Sequence, residues 1–406
     1  MNFYITDSIL YNTRTCCLYK NYTPPVTGNS SLPQHISLPV TGAYLILTNA
    51  CNLNCVYCYA YSDRKNDSLS LDTTKPLLRE IIGNAMIYRI LKGVEITPYI
   101  KFSGGGEPTL NFGVMKKIVD FVDDLALKYC LPVEYHLATN GQWNNSEISE
   151  WINGHITNLL FSVDGTSFVN NKHRPRKDTM DSYKMVEENV RKIKNSNIKC
   201  TFRMTVSNFS VAYMRQSVSS FRDLGISNIQ IEPLMPFEEN GDIYEPLPLE
   251  FAENYIETKY ENTDLNITSS FDVLENRGMG YCGHQLGNIV SLFPNGVVTS
   301  CPERPKNSEY IRGTSCNGKL VLSPSAMEQK ELEPCRACLV RNLCLGLCPS
   351  KISLFREKNM SLGYMCDLYR TIFMRHVERI IERQRLKQYN SFAYDIASKK
   401  FLHLSK

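Results

Sequence analysis

From Ala43 onward, six short apolar segments alternate with segments of helical periodicity, and this alternation constrains the fold more than any other feature. When strands and helices alternate, each helix returns the chain across the sheet, so successive strands pair in parallel. Six such units predict an α/β fold, a partial (β/α)6 barrel of the TIM type, with its chemistry at the carboxyl ends of the strands. The predicted strands are AYLIL (43–47), YIKFS (99–103), VEYHLA (133–138), NLLFSV (158–163), KCTFRMTV (199–206) and NIQIEPL (228–234), and the predicted helices between them cover 72–92, 111–129, 179–195 and 210–224.

The chain is too long for one hydrophobic core. Single cores seldom grow beyond about 250 to 300 residues, so a chain of 406 residues is expected to form two main domains. Turn formers dominate residues 1–42, which we interpret as a β-rich lead-in before the barrel of residues 43–265. Cysteines and turn residues become dense in 266–370, which we predict to be the second domain. Residues 371–406 form a helical C-terminal segment, and the apolar periodicity over 367–388 predicts an amphipathic closing helix with a solvated basic face.

Composition argues against several classes of partner. The net charge is only +4 and no long Lys/Arg block occurs, so nothing favours a nucleic-acid surface. No run of eighteen apolar residues is present, and no basic segment followed by an apolar one marks an export signal, so we expect no membrane association. The 15 cysteines lie at the spacings of metal clusters, which favours a reducing, cytoplasmic location over a secreted disulfide framework.

Three cysteines, Cys51, Cys55 and Cys58, share one short loop directly after the first predicted strand, in CNLNCVYC. Packing thiols would have no reason to share a loop, and a closed zinc site takes four ligands with the second pair usually nearby. A cubane iron-sulfur cluster fits better, because three thiolates leave one of its four irons open to a small molecule.

This CxxxCxxC loop, with the aromatic Tyr57 before its third cysteine, resembles the radical S-adenosylmethionine (radical SAM) enzymes. The resemblance implies a 4Fe–4S cluster whose open iron is chelated by the amino and carboxylate groups of S-adenosylmethionine. It also implies reductive cleavage of that cofactor to a 5′-deoxyadenosyl radical, which abstracts hydrogen from a substrate carbon. The protein's part is then to orient that carbon and to exclude water and oxygen.

A second motif follows the next strand, in SGGGEPTL. Gly105, Gly106, Glu107 and Pro108 match the family's Gly-Gly-Glu-Pro motif, whereas the glycines alone would indicate only a tight turn. The resemblance implies that the backbone at the glycines approaches the ammonium group of the cofactor, where larger residues would obstruct it. It also implies that Glu107 organises this site.

Further strand ends carry weaker matches to the family. TNG at 139–141 and SVDG at 162–165 stand where related enzymes contact the ribose or the carboxylate of the cofactor, and either would alone be an ordinary turn. HRPR at 173–176 resembles the family's basic segment, although Asn171 and Lys172 stand where an acidic residue is common. The candidate cofactor contacts in these segments are Asn140, Ser162, Asp164 and Arg174.

Two further residues complete the candidate cofactor site. Arg203, inside the fifth strand, is a fork-shaped donor for the cofactor carboxylate, with a structural salt bridge as the alternative. Leu234, at the end of the sixth strand, is an apolar contact for the adenine, with core packing as the alternative.

The second region contains seven cysteines and a glycine in the order C-x13-G-x4-C, C-x2-C-x5-C-x3-C and a final lone C. This order resembles the SPASM motif, a C-terminal extension of radical SAM enzymes that holds two auxiliary iron-sulfur clusters, whereas a zinc ribbon would explain only one cysteine pair. The resemblance implies an outer cluster on Cys335, Cys338, Cys344 and Cys366. It implies an inner cluster on Cys282, Cys301 and Cys348, with Cys316, the nearest spare thiol, favoured as the fourth ligand over a site open to substrate.

Together the motifs predict an enzyme that uses three 4Fe–4S clusters and S-adenosylmethionine. SPASM enzymes mostly modify peptides or proteins, and their auxiliary clusters offer a route for the electron that a new bond releases. We therefore expect a maturase that forms a carbon-carbon, cyclophane-type crosslink in a ribosomally synthesised precursor peptide. An electron donor of flavodoxin or ferredoxin type is expected to supply its electrons. The alternatives are thioether (sactipeptide-type) crosslinking, anaerobic sulfatase maturation and a non-catalytic iron-sulfur protein, the last opposed by the intact Gly-Gly-Glu-Pro segment.

An acid or base is expected near the barrel mouth. Glu232 and Glu238 are the candidates, with ordinary solvated or paired carboxylates as the alternative. The 50 residues before Cys51 are too few for a complete peptide-recognition domain, so peptide binding would use an edge of the lead-in strands or a separate protein.

Overall fold

The computed structural model describes residues 2–6, 9–12, 17–20, 39–58, 67–178, 181–236, 241–272, 274, 282–304, 306–323, 335, 338–344 and 347–402. Its first three strands form a small antiparallel sheet, in agreement with the predicted β-rich lead-in. These strands are β1 (Asn2–Thr6), β2 (Ile9–Asn12) and β3 (Cys17–Lys20).

Six parallel strands follow one another in chain order, each hydrogen-bonded to the next. They are β4 (Gly42–Ile46), β5 (Tyr99–Ser103), β6 (Glu134–Thr139), β7 (Asn158–Ser162), β8 (Lys199–Val206) and β9 (Asn228–Pro233). A short parallel strand, β10 (Asn266–Thr268), continues the sheet beyond β9, and it does not close back onto β4. The predicted partial barrel is confirmed, and each predicted strand boundary lies within one residue of the observed one.

Helices connect these strands across the outer face of the sheet. They are α1 (Leu71–Lys92), α2 (Phe112–Leu127), α3 (Ser146–His155), α4 (Ser167–His173), α5 (Ser182–Lys192), α6 (Met214–Asp223) and α7 (Pro248–Glu261). Four of them, α1, α2, α5 and α6, were predicted from their periodicity. The sequence gives weaker signals for α3 and α4, because helices of 10 and 7 residues contain too few turns for a clear apolar stripe.

Successive residues of the barrel strands face opposite sides of the sheet. In β5, Ile100 and Phe102 are fully buried under the helices, and Lys101 between them therefore points into the barrel. In β8, Phe202 is likewise fully buried and the neighbouring Arg203 is exposed on the inner side. The barrel thus has an apolar outer face and a partly polar interior.

The cysteine-rich region extends the same sheet. Its first strand, β11 (Ile289–Leu292), pairs in parallel with β4 on the side opposite β5. Three antiparallel strands follow, β12 (Val297–Thr299), β13 (Ile311–Cys316) and β14 (Lys319–Leu322), and complete an eleven-stranded sheet. The short helices of this region are α8 (Gly283–Leu286), α9 (Arg341–Cys344) and α10 (Pro349–Glu357). The predicted second domain therefore continues the barrel at its first strand.

The closing helix α11 (Gly363–Leu402) begins four residues before the predicted segment and continues beyond it. It packs on α7, where the Thr371 hydroxyl donates to the carbonyl of Pro248 at 3.2 Å and Arg375 forms an ion pair with Glu253. No described helix combines the length and the apolar character that a membrane crossing requires.

A buried carboxylate joins α7, α11 and the loop after β10. Asp272 accepts hydrogen bonds from the hydroxyl of Tyr255 at 2.9 Å, from Lys259 Nζ at 3.2 Å and from His376 Nε2 at 3.0 Å. Burial alone would raise the pKa of Asp272, but the hydrogen bond and charge of His376, with the charge of Lys259, lower it from 3.8 to about 2. Asp272 is therefore ionised and holds the closing helix against the barrel.

We predict that Asp272→Asn destabilises the protein by about 3 to 5 kcal/mol at neutral pH, because it leaves buried cationic partners without their carboxylate. Because the pKa of Asp272 is lower in the folded than in the unfolded chain, its contribution is complete above pH 3.8 and is lost as the pH falls toward 2. Chemical denaturation of wild type and variant between pH 7 and the acid limit should show this convergence. Asp264→Asn, which changes an exposed partner of Arg222, should cost no more than about 1 kcal/mol; equal costs for the two variants would contradict the prediction.

Candidate active site

The three-cysteine loop is held by backbone pairing to the segment that precedes α5. Asn54 N donates to the carbonyl of Pro175 and Val56 N donates to the carbonyl of His173, both at 2.9 Å. Leu53 and Arg176 form an antiparallel bridge in the same segment. The loop therefore has a defined path over the carboxyl ends of the strands, as predicted for a site after β4.

Cys51, Cys55 and Cys58 are half-buried, and none forms a disulfide. Burial raises the pKa of the Cys55 thiol to about 12, the guanidinium of Arg174 opposes this shift, and the charges of Cys58 and Cys51 add to it. The three sulfurs thus lie close enough to influence one another. Two side-chain donors approach them, since Asn140 Nδ2 lies 3.7 Å from Cys51 Sγ and Arg174 Nη1 lies 4.0 Å from Cys55 Sγ.

This donor set fits the cluster that the motif implies. Three thiolates on one loop match the protein ligands of a cubane with one open iron, and N–H groups directed at cluster sulfurs are usual partners around such clusters. Within the described part of the chain, no group of three His, Cys, Asp or Glu side chains converges closely enough to hold a single metal ion. The assignment of Cys51, Cys55 and Cys58 to a cluster therefore depends on their motif and surroundings.

Asp164 lies beneath this loop and accepts hydrogen bonds from several of its neighbours. Its fully enclosed carboxylate bonds to the Tyr57 hydroxyl, to Arg174 Nη2 at 3.0 Å, to His173 Nδ1 at 3.2 Å and to Thr205 N at 2.9 Å. Burial would raise the pKa of Asp164, but the charge of Arg174 and the hydrogen bond and charge of His173 outweigh it and hold the pKa well below its usual range. Asp164 is therefore ionised, and its charge is matched by that of Arg174.

This geometry changes the role expected for Asp164. Its side chain has no exposed area, so its carboxylate cannot contact S-adenosylmethionine directly. It orients Tyr57, whose ring lies in edge contact with His173 at 5.5 Å, and Arg174, which lies over the Tyr57 ring. Sequence reasoning found these residues through their motifs but could not show that they bond to one another.

The glycine motif after β5 packs directly against the beginning of the cysteine loop. Gly106 N donates to the carbonyl of Thr48 at 3.0 Å, and Glu107 N donates to the carbonyl of Ala50 at 2.8 Å. A Cβ added at Gly106 would lie 1.9 Å from the carbonyl oxygen of Ala50, and one added at Gly104 would lie 1.8 Å from the carbonyl oxygen of Gly106. These positions need glycine because two backbones meet here without room for a side chain.

Glu107 joins the ends of β5 and β6. Its buried carboxylate accepts hydrogen bonds from the Thr109 hydroxyl, the Thr139 hydroxyl and Asn140 N, each at 2.7 Å, and from Thr109 N at 3.1 Å. Burial raises the pKa of Glu107 and these hydrogen bonds oppose the shift. The adjoining Pro108 begins a 3₁₀ turn that Glu107 caps. The predicted organising role of Glu107 therefore has a structural basis in this network.

Asn140 connects the glycine motif to the cysteines. Its side-chain amide donates to Asn52 Oδ1 at 2.8 Å, in addition to its approach to Cys51. Asn52 in turn donates to the carbonyl of Gln142 at 2.7 Å. Asn52 was missed from the sequence, because an asparagine between two cysteines carries no signal of its distant partners.

The remaining predicted cofactor contacts are divided between the open interior and the core. Ser162 ends β7 and is paired in register with Arg203 of β8. The Arg203 guanidinium forms no hydrogen bond or ion pair with the described residues, so the structural salt bridge is not observed there. Leu234 is buried, and its N–H donates to the carbonyl of Val206 at 2.7 Å.

The cysteines of the C-terminal region gather into two groups. Burial raises the pKa of Cys301 to about 12 and that of Cys348 to about 11. The charge of Cys348 adds to the shift of Cys301, and the charge of Cys282 adds to the shift of Cys348, as expected for neighbouring thiols. Burial also raises the pKa of Cys366, where Arg370 opposes the shift and Cys335 and Cys338 add to it. Cys344 is buried in α9, six residues after Cys338. The assignment of these seven cysteines to an inner and an outer cluster stays a prediction from the motif.

Cys316 does not join the inner group. β12 and β13 are antiparallel, and Thr314 of β13 pairs with Val297, the first residue of β12. Cys316, at the end of β13, therefore lies past the first residue of β12, whereas Cys301 follows the last residue of β12. At about 3.3 Å per residue, this register separates the two cysteines by roughly 15 Å or more. Cys316 is also exposed, beside Gly296. Cys316 was favoured as the fourth ligand of the inner cluster because it is close in sequence to Cys301. The hairpin of β12 and β13 places the two cysteines at opposite ends of these strands.

Glu232 is engaged in structural hydrogen bonds. Its carboxylate accepts from Ser270 N at 2.9 Å, from the Ser270 hydroxyl at 2.5 Å and from Gln230 Nε2 at 2.8 Å. These bonds tie β9 to the loop after β10, which supports the paired-carboxylate alternative. The other acid/base candidate, Glu238, lies outside the described residues.

Comparison with known proteins defines the class to which this site belongs. Residues 45–214 match the radical SAM superfamily model, a span that contains the cysteine loop, the Gly-Gly-Glu-Pro segment and the Asp164 network. Residues 45–214 therefore form a radical SAM domain, the protein is an enzyme, and the resemblance inferred from its motifs is confirmed. Such a domain binds a 4Fe–4S cluster and S-adenosylmethionine.

Individual proteins resemble this chain over most of its length. The radical SAM cyclopropyl synthase TigE of Paramaledivibacter caminithermalis is 25% identical over 386 residues, covering 88% of this chain and 76% of its own. The structure of anSMEcpe with bound AdoMet and Cp18Cys peptide aligns with a TM-score of 0.66 at 16% identity, over 85% of this chain and 98% of its own. Streptococcus suis SuiB bound to precursor peptide SuiA aligns with a TM-score of 0.52 at 17% identity, over 78% and 74% of the two chains. At these identities the two solved structures establish the shared fold.

We predict that Gly106→Ala separates the glycine motif from the cysteine loop and greatly weakens S-adenosylmethionine binding, because the added methyl group would collide with the Ala50 carbonyl. Calorimetric titration of the reconstituted protein with the cofactor measures this loss. Gly83→Ala in α1 is the control, since a Cβ there meets no atom within 4 Å and should be neutral or slightly stabilising. Unchanged cofactor affinity in Gly106→Ala would contradict the prediction.

We also predict that Asp164→Asn reduces the occupancy of the cluster on the three-cysteine loop. The neutral amide leaves the buried Arg174 charge without its partner and cannot accept from all four donors. Iron analysis should show a loss of up to about four irons per chain. The control Asp178→Asn removes an exposed partner of Arg176 and should retain full iron; a similar iron content in both variants would show that Asp164 does not support the loop.

Proposed function

We propose that this radical SAM enzyme is a peptide maturase that forms an intramolecular carbon-carbon, cyclophane-type crosslink in a ribosomally synthesised precursor peptide. The observation that carries the proposal is the combination of a three-cysteine loop, braced by Glu107 and Asp164, with the seven-cysteine pattern of the C-terminal region, whose strands continue the same sheet. A single-cluster enzyme has no need of the second set. The compared proteins, which include a cyclopropyl synthase and two proteins bound to peptides, support a peptide substrate.

Cys51, Cys55 and Cys58 would hold the cluster that binds S-adenosylmethionine. When bound, this cluster supplies the electron that cleaves the cofactor and so provides the radical that removes hydrogen from substrate. The chain's own contribution is positional. Glu107 and Gly106 keep the strand ends against the cysteine loop, and Asp164 fixes Tyr57 and Arg174 beneath it.

The inner and outer cysteine groups would hold two auxiliary 4Fe–4S clusters, on Cys282, Cys301 and Cys348 and on Cys335, Cys338, Cys344 and Cys366. Formation of a bond between two substrate atoms that each lose one hydrogen is a two-electron oxidation. Auxiliary clusters accept electrons one at a time, which fits this requirement. A flavodoxin- or ferredoxin-type protein is the proposed electron donor for the first cluster.

The first step of the test measures cofactor cleavage and iron content. Anaerobically reconstituted protein should bind about twelve irons per chain, the sum for three cubanes, and should release 5′-deoxyadenosine in the presence of a low-potential reductant. Cys55→Ala should lose about four irons and the release of 5′-deoxyadenosine, whereas Cys130→Ala, at an exposed cysteine outside the three groups, should lose neither. Full iron binding without cofactor cleavage would overturn the enzymatic proposal.

The second step identifies the product. Incubation with the small peptide encoded beside this gene should remove two hydrogens from the peptide. A crosslink between two side chains suppresses backbone fragments between the joined residues in tandem mass spectrometry. Loss of two hydrogens within one residue, with normal fragmentation on both sides, would exclude the crosslink and indicate a ring within a single side chain.

A further inference from the structure

Two basic side chains enter the barrel interior from opposite walls. Lys101 lies between the fully buried Ile100 and Phe102, and Arg203 lies between the fully buried Phe202 and Met204. Since the buried neighbours pack under the outer helices, both cations are directed inward. Burial and the charge of Arg203 lower the pKa of Lys101, in keeping with two cations that face the same interior.

The surroundings of Lys101 are aromatic and basic. Its ammonium lies 4.6 Å from the centre of the Tyr44 ring. His284 packs edge-on against the same Tyr44 ring, with 4.5 Å between the ring centres. Burial, with the charge of Arg203, lowers the pKa of Lys101 itself to about 8. The Lys101 ammonium is therefore a half-buried cation, and no carboxylate among the described residues forms an ion pair with it.

Nearby carboxylates are used elsewhere. Glu134 bonds to His136 at 3.2 Å, and Glu232 accepts from Ser270 and Gln230. Among the residues that the structure describes, the side chain of Lys101 takes part in no hydrogen bond or ion pair, and neither does that of Arg203. An enclosed cation without a partner is costly, so such a group is retained where an anion arrives from outside.

The site lies where a substrate must enter. Lys101 stands two residues before Ser103, which precedes the glycine motif, and Arg203 is in register with Ser162. On the other side, Tyr44 contacts the His284 ring at 4.5 Å, two residues after Cys282, and its strand β4 pairs with β11 of the cysteine-rich region. The two cations therefore lie between the cofactor motifs and the inner cysteine group.

We propose that Lys101, with Arg203 beside it, binds a carboxylate of the substrate peptide inside the barrel. The inference rests on the proposed peptide substrate and adds a chemical requirement to it: an acidic side chain, or the C-terminal carboxylate, lies next to the modified residue. Lys101 positions the substrate through a charge-assisted hydrogen bond, and the Tyr44 ring supports the ammonium on its other side.

Binding is measured on the reconstituted holoenzyme with S-adenosylmethionine, by calorimetric titration without turnover. The probes are N-acetyl-glutamate N-methylamide for an acidic side chain, N-acetyl-alanine for a C-terminal carboxylate, and N-acetyl-glutamine N-methylamide as the neutral comparison. Wild type should bind one of the carboxylate probes at least about tenfold more tightly than the neutral probe, and the preferred probe identifies the source of the carboxylate.

Lys101→Met should abolish this preference and Lys101→Arg should retain most of it. Lys116→Met, at a lysine on the outer surface paired with Glu147, should behave as wild type. Removing an uncompensated cation should also leave iron content unchanged and raise the thermal midpoint of Lys101→Met. Lys101→Arg keeps the test valid if the methionine variant fails to fold.

Two results would overturn the inference. One is a wild type that binds all three probes equally. The other is a Lys101→Met variant that keeps the carboxylate preference but shifts the reduction potential of the inner cluster, which would show that Lys101 balances cluster charge instead. Neither result depends on cofactor cleavage or peptide modification, so failure of the proposed function is distinguished by the 5′-deoxyadenosine and product measurements.

Discussion

The ion pair between Asp164 and Arg174 is the interaction on which the candidate active site most depends. A buried carboxylate is tolerated only when its charge and lone pairs are satisfied, and Asp164 is satisfied by donors from the cysteine loop, from α4 and the residue that follows it, and from β8. Three separate parts of the chain are therefore fixed relative to one another by a single side chain. The position of the three sulfurs, and hence of any cluster they hold, follows from this constraint. Glu107 likewise fixes the glycine motif to the end of β6, because its carboxylate accepts hydrogen bonds from Thr139 and Asn140.

The sequence was sufficient for the barrel because its strands are short, apolar and separated by periodic helices, a pattern that local physics determines. The grouping of the cysteines is likewise predicted from their spacing, which is a property of the chain. Prediction failed where partners are distant in sequence. Nothing local shows that Asp164 is enclosed while Arg203 is open, or that a hairpin carries Cys316 away from Cys301. Likewise, Glu232 has the composition of a catalytic acid, and only the position of Ser270 reveals its structural use.

The continuous sheet joins the C-terminal region to the barrel by main-chain hydrogen bonds, a connection that two independent domains would lack. Because β11 pairs with β4, the strand that leads into the three-cysteine loop also borders the inner cysteine group. Tyr44, on β4, lies near Arg203, Cys282 and Cys301, so one strand borders both the barrel interior and the inner cysteines. Main-chain hydrogen bonds fix this arrangement, which does not depend on side-chain contacts across a mobile domain boundary.

The unbalanced charge inside that space is informative because stability alone would remove it. Barrel interiors that serve only packing are filled with branched apolar side chains, whereas this one presents Lys101 and Arg203 toward one another. Two cations that face each other repel, and the aromatic ring of Tyr44 offsets only a part of this cost. A carboxylate that binds between the two cations reduces their repulsion and gains two charge-assisted partners. The free energy of binding would therefore include the relief of this repulsion. Selectivity for an acidic substrate would then come from the barrel wall itself, independently of how the rest of the peptide is recognised.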